Sequence, residues 1–457
     1  VISLGPERIA EVMGARITSR GSKDFPTSAV IDSRAIGGGE LFFGIKGESE
    51  DGGRFAPAAL DDGAWGVVVE PGHSEAVCGP DGAGPDGWVF VVEDPLLAMQ
   101  ELARAWRREL GSTVIGITGS VGKTSVKDIT RAILPGSVHA SEENFNTEIG
   151  LPLTILSAPA NTDTLVLEMA MRGSGQIAEL AMIAEPDIGV ITTVGPVHLE
   201  LLGSIEAIAA AKAEIIGGLK PGSPVIVPVE AGYLEPHLKG VAGIVRFGDG
   251  GDVYAESVVR TPAGISATIV TPAGPARFDF PFTEAHNLAN AMAAVAAAVA
   301  AGAAPEDLAA RASSVTFSKL RGEHLTLPGG TLVVNDCYNA NPVSMRAALD
   351  YLATIDRQPK VAVLGMMGEL GPGAADFHRE VGAYARSLKI DVIIGVGPET
   401  ADYEPDHLVE DQAAAVELLE GMLGPQGVVL VKGSRAAGLE VVTEGLARGS
   451  VGTEGVS

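Results

Sequence analysis

The sequence predicts an α/β protein of three domains, a small mixed one followed by two built on parallel, doubly wound sheets. Three observations carry that expectation. A chain of 457 residues is long enough for two to four domains. From about residue 112 onward, apolar runs of strand length alternate with helical segments, the pattern of repeated βαβ units. Many of those runs are apolar at nearly every position, as strands covered by helices on both faces must be.

Residues 1–95 carry the short runs "AVIDSR" (29–34), "ELFFGIKG" (40–47), "GAWGVVVE" (63–70) and "WVFVVED" (88–94), most of them separated by Gly-rich turns. These form the small mixed domain. A helical segment, "PLLAMQELARAWRREL" (95–110), leads into the central domain, residues 96–318. Its buried strands are "STVIGIT" (112–118), "DTLVLEMA" (163–170) and "DIGVITTV" (187–194). A β-rich passage over 223–282 follows, then an Ala-rich helix after "HNLANA" (286–291). Residues 319–457 repeat the alternation in "TLVVNDCY" (331–338), "KVAVLGMMG" (360–368), "DVIIGVG" (391–397) and "GVVLVKGS" (427–434). This last domain is Rossmann-like, yet no strand end carries G-x-G-x-x-G, which argues against a dinucleotide cofactor.

Composition narrows the partners. Hydrophobic residues make up 46% and charged ones 20%, a globular balance. Lys plus Arg number 32 and Asp plus Glu 58, a net charge of −26. A surface that acidic repels phosphodiester backbones and anionic lipid, so no nucleic-acid partner and no membrane insertion are expected. No apolar run reaches the ~20 residues that span a bilayer. Two distant cysteines, Cys78 and Cys337, and the lack of a charged-then-apolar leader fit a cytoplasmic protein. A monomer is expected.

"GITGSVGKTS" (116–125) sits between an apolar strand and a helix beginning "VKDITRAIL". In such a loop, Thr118, Gly119, Ser120, Val121 and Gly122 close their backbone around phosphate oxygens, and the helix N-terminus adds a favourable dipole. Lys123 reaches the outer phosphates and Thr124 holds Mg²⁺. The spacing is shorter than G-x-x-x-x-G-K-[ST], because Ile117 stands where the first glycine would be. An ordinary Gly-rich turn is the bland alternative; the Lys-Thr pair and the strand–loop–helix context favour a nucleotide.

Two further strand ends fall beside that loop. Glu168 follows "TLVL" and His198 follows "VITTVGPV". A carboxylate beside a magnesium nucleotide is a natural metal ligand; the alternatives are a solvated strand-end acid and a loop histidine packed on Pro196. Next, in "SIEAIAAAKAEIIGGL" (204–219), Lys212 lies on the apolar stripe formed by Ile205, Ile208, Ala209, Ile215, Ile216 and Leu219. An unpaired buried ammonium costs several kcal/mol. The side chain is therefore paired, neutralised or modified, for example as a carbamate that binds a second cation, or else it snorkels to water. Periodicity alone favours snorkelling.

"TGSVGKTS", "NFNTEIGLPLTIL" (144–156), "LEMAMRGSGQIAEL" (167–180), "GPVHLELLGS" (195–204), "AKAEI" (211–215) and "HNLANA", in that order, resemble the central domain of the Mur ligase family of peptidoglycan synthesis. "NDCYNANPVSM" (335–345) and "GMMGELG" (365–371) are similar to the branch that adds D-alanyl-D-alanine, and "DSR" (32–34) with "LFFGIKGESEDGGRF" (41–55) to the first domain of that branch and of its diamino-acid-adding neighbour. The likeness covers almost the whole chain. It implies an ATP-dependent ligase that joins D-alanyl-D-alanine to UDP-N-acetylmuramoyl-tripeptide through an acyl phosphate.

It also implies roles. Lys123 would hold phosphates, Thr124 and Glu168 a first Mg²⁺, and His198 with a carbamylated Lys212 a second. Asn287 and Asn290 would lie near the adenine, with Arg321 and Asp336 closing on ATP from the last domain. Ser33, Arg34 and Lys46 would meet the UDP moiety, and Tyr338, Asn339 and Asn341 the substrate. Gln176 and Thr147 depart from the family's acid and asparagine. Three rivals are expected to differ in sequence. The neighbouring diamino-acid ligase would show Asp-Asn-Pro-Arg where this chain reads "YNANP". A folate-polyglutamate ligase would lack the opening domain, and a non-ligating NTPase switch would have no use for a buried lysine.

Overall fold

The computed structural model describes residues 2–78, 86–142 and 144–449. Four sheets account for its strands. The first holds β1 (Arg16–Ser19), β2 (Ala29–Val30), β3 (Leu41–Phe43), β4 (Gly66–Val69) and β5 (Trp88–Val91) in the order β1-β5-β4-β3-β2, parallel except for β1. The "AVIDSR" run is a strand only to Val30. Asp32 turns its carboxylate onto the Arg34 amide (3.0 Å), opening a 3-10 turn over Ser33–Ala35.

The helix Pro95–Leu110 begins and ends where its residues dictate. Asp94 accepts from the Leu96 and Leu97 amides at 2.8 and 3.1 Å, Pro95 fills the first turn, and Gly111 turns left-handed (φ 64°) beyond the last.

The second sheet contains β6 (Thr113–Thr118), β7 (Val138–Ala140), β8 (Thr164–Glu168), β9 (Ile188–Ile191), β10 (Val225–Pro228) and β11 (Ile244–Phe247), all parallel, in the order β11-β10-β9-β6-β8-β7. Its middle strands are buried on both faces, which is why their sequences show no alternation. The remaining part of the β-rich passage is a separate antiparallel meander, β12 (Tyr254–Thr261), β13 (Gly264–Thr271) and β14 (Gly274–Phe280). Here burial alternates: Ile265, Ala267 and Ile269 of β13, with Ala276, Phe278 and Phe280 of β14, join the core around the Ala-rich helix Ala285–Ala300.

The fourth sheet has β15 (Glu323–Thr326), β16 (Leu332–Asn335), β17 (Lys360–Leu364), β18 (Val392–Val396), β19 (His407–Val409) and β20 (Val428–Lys432). Its order is β15-β16-β20-β17-β18-β19, parallel but for β15. β20 lies between β16 and β17, so the order reverses there and opens a crevice at the carboxyl ends. The apolar runs at 331–338 and 360–368 both overshoot: the strands stop at Asn335 and Leu364, and the residues beyond are loops at the carboxyl ends.

Candidate active site

The register of the second sheet brings three loops together. Ile117 of β6 pairs with Glu168 of β8, and Thr118 pairs with Ile191 of β9. The phosphate loop thus leaves the sheet between Glu168 and the 192–198 loop. That loop laces to it: Val121 N–H donates to Thr193 Oγ1 (3.1 Å), Thr192 Oγ1 to the Val121 carbonyl (2.5 Å), and Gly195 N–H to Ser120 Oγ (2.9 Å). Gly119 has φ 148°, and a Cβ there would lie 1.9 Å from Thr192 Oγ1. Gly122 has φ 88°, and its Cβ would lie 2.4 Å from Asn290 Oδ1. Both glycines are required by space and by backbone conformation. The Ile117 substitution is harmless because that residue belongs to the strand.

Glu168 is 2% exposed, which overturns the solvated-acid alternative. Thr124 Oγ1 donates to its Oε2 (2.8 Å) and Asn146 Nδ2 to its Oε1 (2.9 Å). Lys123 folds back so that Nζ donates to the Gly119 carbonyl (2.9 Å). Burial pushes its pKa down, Glu168 pulls it up, and Arg321 lowers it further.

Lys212 does not snorkel. It sits in the helix Ile205–Gly217, which Ser204 caps through the Ala207 amide (3.2 Å), and it is 2% exposed. The adjacent buried stripe residues, Ile208, Ala209 and Ile215, belong to the core, and Ile215 packs on Gly116 of β6. Among the described residues the Lys212 amine has no hydrogen-bond or ion-pair partner. Burial, with Lys123 as a second cause, holds its pKa well below the lysine range.

His198 adopts φ 55° and its Nδ1 lies against the Glu369 carboxylate of the fourth sheet's "GMMGELG" loop. Asn287 is the third residue of its helix rather than a cap; its Oδ1 accepts from Asn290 Nδ2 (3.0 Å).

Family models cover most of this framework. The Mur ligase family catalytic domain matches residues 27–107, the Mur ligase middle domain 117–298, and the Mur ligase glutamate ligase domain 320–435. The UDP-N-acetylmuramoyl-tripeptide–D-alanyl-D-alanine ligase of Bacillus subtilis is 36% identical over 433 residues, 91% of this chain and 92% of that protein. The chain belongs to the Mur ligase family. MurF from Acinetobacter baumannii has the same three-domain architecture, with a TM-score of 0.86 at 28% identity over 97% of this chain and 98% of that one. The MurF ligase of Thermotoga maritima in complex with ADP gives 0.82 at 28% identity, over 93% and 98%.

In this Mur ligase the last sheet reaches the phosphate loop through a short linker. Ser318 donates through N–H and Oγ to Asp128 Oδ2 of the phosphate-loop helix (2.8 and 2.9 Å). Three residues on, the Arg321 guanidinium stacks over Tyr338 at 4.1 Å. Asp336 is held by Lys432, a residue 2% exposed whose Nζ donates to Asp336 Oδ2 (2.6 Å) and to the Asn339 carbonyl (3.0 Å). Asn341 spends its side-chain oxygen capping the helix Pro342–Thr354, receiving the Ser344 amide at 2.9 Å. Asn339 Oδ1 receives the Ala340 amide at 2.8 Å.

Ser33 and Arg34 lie in the turn after β2, and Lys46 just beyond β3, at the first sheet. Among the described residues no hydrogen bond or ion pair joins them to the phosphate loop. Arg34 is paired with Asp32 (2.7 Å), whose pKa falls to about 2, chiefly through that hydrogen bond. Lys46 bridges to Asp51 through the backbone. Gln176 and Thr147 have local duties: Gln176 Oε1 accepts from the Arg172 and Gly173 amides (2.6 and 3.0 Å), and Thr147 Oγ1 from the Gly150 amide (3.4 Å).

Sequence reasoning missed Asn146, Asp128, Lys432 and Glu369. Asn146 and Glu369 stood inside quoted motifs, but only the fold shows that they meet Glu168 and His198. Lys432, a charge at the end of an otherwise apolar strand, carried the same kind of signal that singled out Lys212.

Proposed function

We propose that this Mur ligase joins D-alanyl-D-alanine to UDP-N-acetylmuramoyl-tripeptide at the expense of ATP, in the cytoplasmic synthesis of peptidoglycan precursor, and that it acts as a monomer. The observation that carries the reading is convergence. A phosphate loop and a buried carboxylate meet at one sheet edge, and a buried amine without a partner among the described residues interacts with Lys123 of that loop, in a chain similar nearly end to end to ligases of that name.

The chemistry follows from charge. The tripeptide carboxylate must attack the γ-phosphorus of a polyanion, so cations have to offset their repulsion. Backbone amides of residues 118–122 and Lys123 take the phosphates. Asn287 and Asn290, beside Gly122, face the adenosine end, and Arg321 with Asp336 complete the nucleotide site from the last sheet. The carboxylate oxygen forms its bond to phosphorus as the bond to ADP breaks. The dipeptide amine then adds to the acyl phosphate carbon, and the tetrahedral species expels inorganic phosphate, giving the amide after loss of a proton. Closing the sheets excludes the water that would hydrolyse the acyl phosphate.

Thr124 and Glu168, a hydroxyl and a carboxylate in contact, are the oxygen donors that Mg²⁺ selects. His198 and Lys212 would serve a second ion, which supplies further neutralisation of the transferring phosphoryl group. Lys212 fits this role as a carbamate. Its depressed pKa keeps a lone pair on Nζ to form a bond to CO₂ with release of a proton, converting the orphan amine into an anion. The UDP moiety is assigned to Ser33, Arg34 and Lys46; the first two lie between Asp32 and Ala35, which with His139, Phe145 and Thr154 among others line a cavity of about 390 Å³. Tyr338, Asn339 and Asn341 are assigned to the peptide substrates; for the last two, the side-chain oxygens are already engaged and the Nδ2 groups are what they can offer.

A coupled assay of ADP release tests the reading. Release should require both the UDP-linked tripeptide and D-Ala-D-Ala. Turnover that ignores the dipeptide, or that prefers a free diamino acid, would overturn it.

A further inference from the structure

The contact between His198 and Glu369 crosses from the second sheet to the fourth, and the loop that makes it is built for it. Glu369 is a non-glycine residue at φ 61°, held in the left-handed region. Its carbonyl accepts from the Glu200 amide (3.3 Å), two residues beyond His198. Gly371 at φ 65° lies so close to Glu200 that an added Cβ would be 3.1 Å from the Glu200 Cα. Behind the loop, the Met367 amide donates to His378 Nε2 (3.1 Å), the Gly368 amide to Ser434 Oγ (2.8 Å), and the Ser434 amide to the Met366 carbonyl (2.9 Å). His378 is 3% exposed, and its Nδ1–H is engaged by the Ala374 carbonyl (2.6 Å), so its Nε2 is a fixed acceptor. The fourth sheet therefore fixes the backbone of Glu369, whose half-exposed carboxylate faces one ring nitrogen of His198.

A histidine whose Nδ1–H is bound by a carboxylate has its tautomer set, and the lone pair falls on Nε2, where a cation can bind. Here the orienting carboxylate comes from a different domain than the histidine. We infer that Glu369 is a positioning residue that makes His198 competent for a cation only when the last domain has closed, so that closure and occupancy of the second cation site are coupled. The inference rests on the proposed role of His198. It assigns the "GMMGELG" loop to assembling the phosphoryl-transfer site, rather than to binding the dipeptide. Because such coupling is reciprocal, the cation must favour closure by the same factor that closure favours the cation.

Full-length enzyme with a non-hydrolysable ATP analogue would be titrated with Mn²⁺, reading free Mn²⁺ by electron paramagnetic resonance. Glu369→Ala should weaken the second Mn²⁺ by roughly 10- to 100-fold, the usual effect of losing an orienting carboxylate. Glu369→Gln, which still accepts from Nδ1–H without the charge, should weaken it less. Nucleotide affinity should move less than about two-fold in both, on that same separation of roles. In ¹⁵N-histidine spectra the His198 signal should shift from the Nδ1–H form toward a mixture in Glu369→Ala. Small-angle scattering should show Mn²⁺ compacting the wild type more than the variant. Unchanged Mn²⁺ affinity and an unchanged tautomer in a folded Glu369→Ala would overturn the inference, leaving an ordinary interdomain salt bridge. His198→Ala separates the two readings. If it removes one Mn²⁺ while Glu369→Ala removes none, only this inference fails; if it removes none, the role of His198 itself fails.

Discussion

Replacing Lys212 with methionine should make the protein more stable and inactive at once. The side chain is 2% exposed, has no partner among the described residues, and has its pKa driven well down by burial. A free lysine titrates near 10.4, so holding the amine fully neutral at pH 7 costs about 4 to 5 kcal/mol, an upper bound that water penetration and relaxation reduce. Methionine fills nearly the same volume without that penalty. In carbonate-free buffer, Lys212→Met should therefore gain roughly 2 to 4 kcal/mol, a rise of several degrees in melting temperature for a domain of this size. The pH dependence has a fixed sign. The folded amine is a weaker base than the unfolded one, so between its lowered folded pKa and about 10.4 the unfolded chain holds the extra proton, and wild-type stability rises with pH. The gap between variant and wild type should narrow by up to ~1.4 kcal/mol per pH unit from 7 toward 9. Added bicarbonate should stabilise wild type but not the variant, since only wild type can bind CO₂. Thermal melts across pH, with and without bicarbonate, measure all three effects. A variant less stable than wild type in carbonate-free buffer, with a gap that does not change with pH, would refute the picture of an uncompensated amine.

Gly119→Ala meets Thr192 at 1.9 Å and needs φ 148°, so it should lose ATP binding by more than ten-fold while the melting temperature falls by only a few degrees; calorimetric titration with ATP checks it. Asp128→Ala releases Ser318 and loosens the linker to the last domain, so it should raise the KM for ATP several-fold more than it lowers stability, as steady-state kinetics and melts would show. Glu185 is held at about 2, first by its hydrogen bond from Arg108 and then by Arg104. With its side chain 28% exposed, the pairing is worth about 1 to 2 kcal/mol after screening. That stabilisation is present above about pH 4.5 and is lost as pH falls toward 2, so Glu185→Gln should melt lower than wild type at pH 7 and nearly together with it at pH 2.

The fold was legible wherever local chemistry decides. Apolar runs located β6, β8 and β9 of the second sheet and β16, β17, β18 and β20 of the fourth but not the short strands β7, β15 and β19, Asp94 with Pro95 and Gly111 bounded a helix, and Gly119-x-x-Gly122-Lys123-Thr124 announced its own loop. Strand ends were less legible because the apolar run continues past the last ladder hydrogen bond, as it does after Asn335 and Leu364. The periodicity of 204–219 placed Lys212 on the inner face but favoured snorkelling, since the pattern fixes a direction and says nothing of depth.

By itself, then, the sequence determined most of the buried strands and the main helices, the strand–loop–helix turn at 116–125, and that a lysine faces the core; propensity, periodicity and capping act over a few residues and are written in neighbouring letters. Tertiary structure alone decided that this lysine is buried with no ion-pair partner among the described residues, that Glu168 is shared by Thr124 and Asn146, and that His198 is met by Glu369 from another domain. Those facts depend on strand order and domain docking, which bring residues up to 171 positions apart into contact, and no local pattern encodes such a meeting.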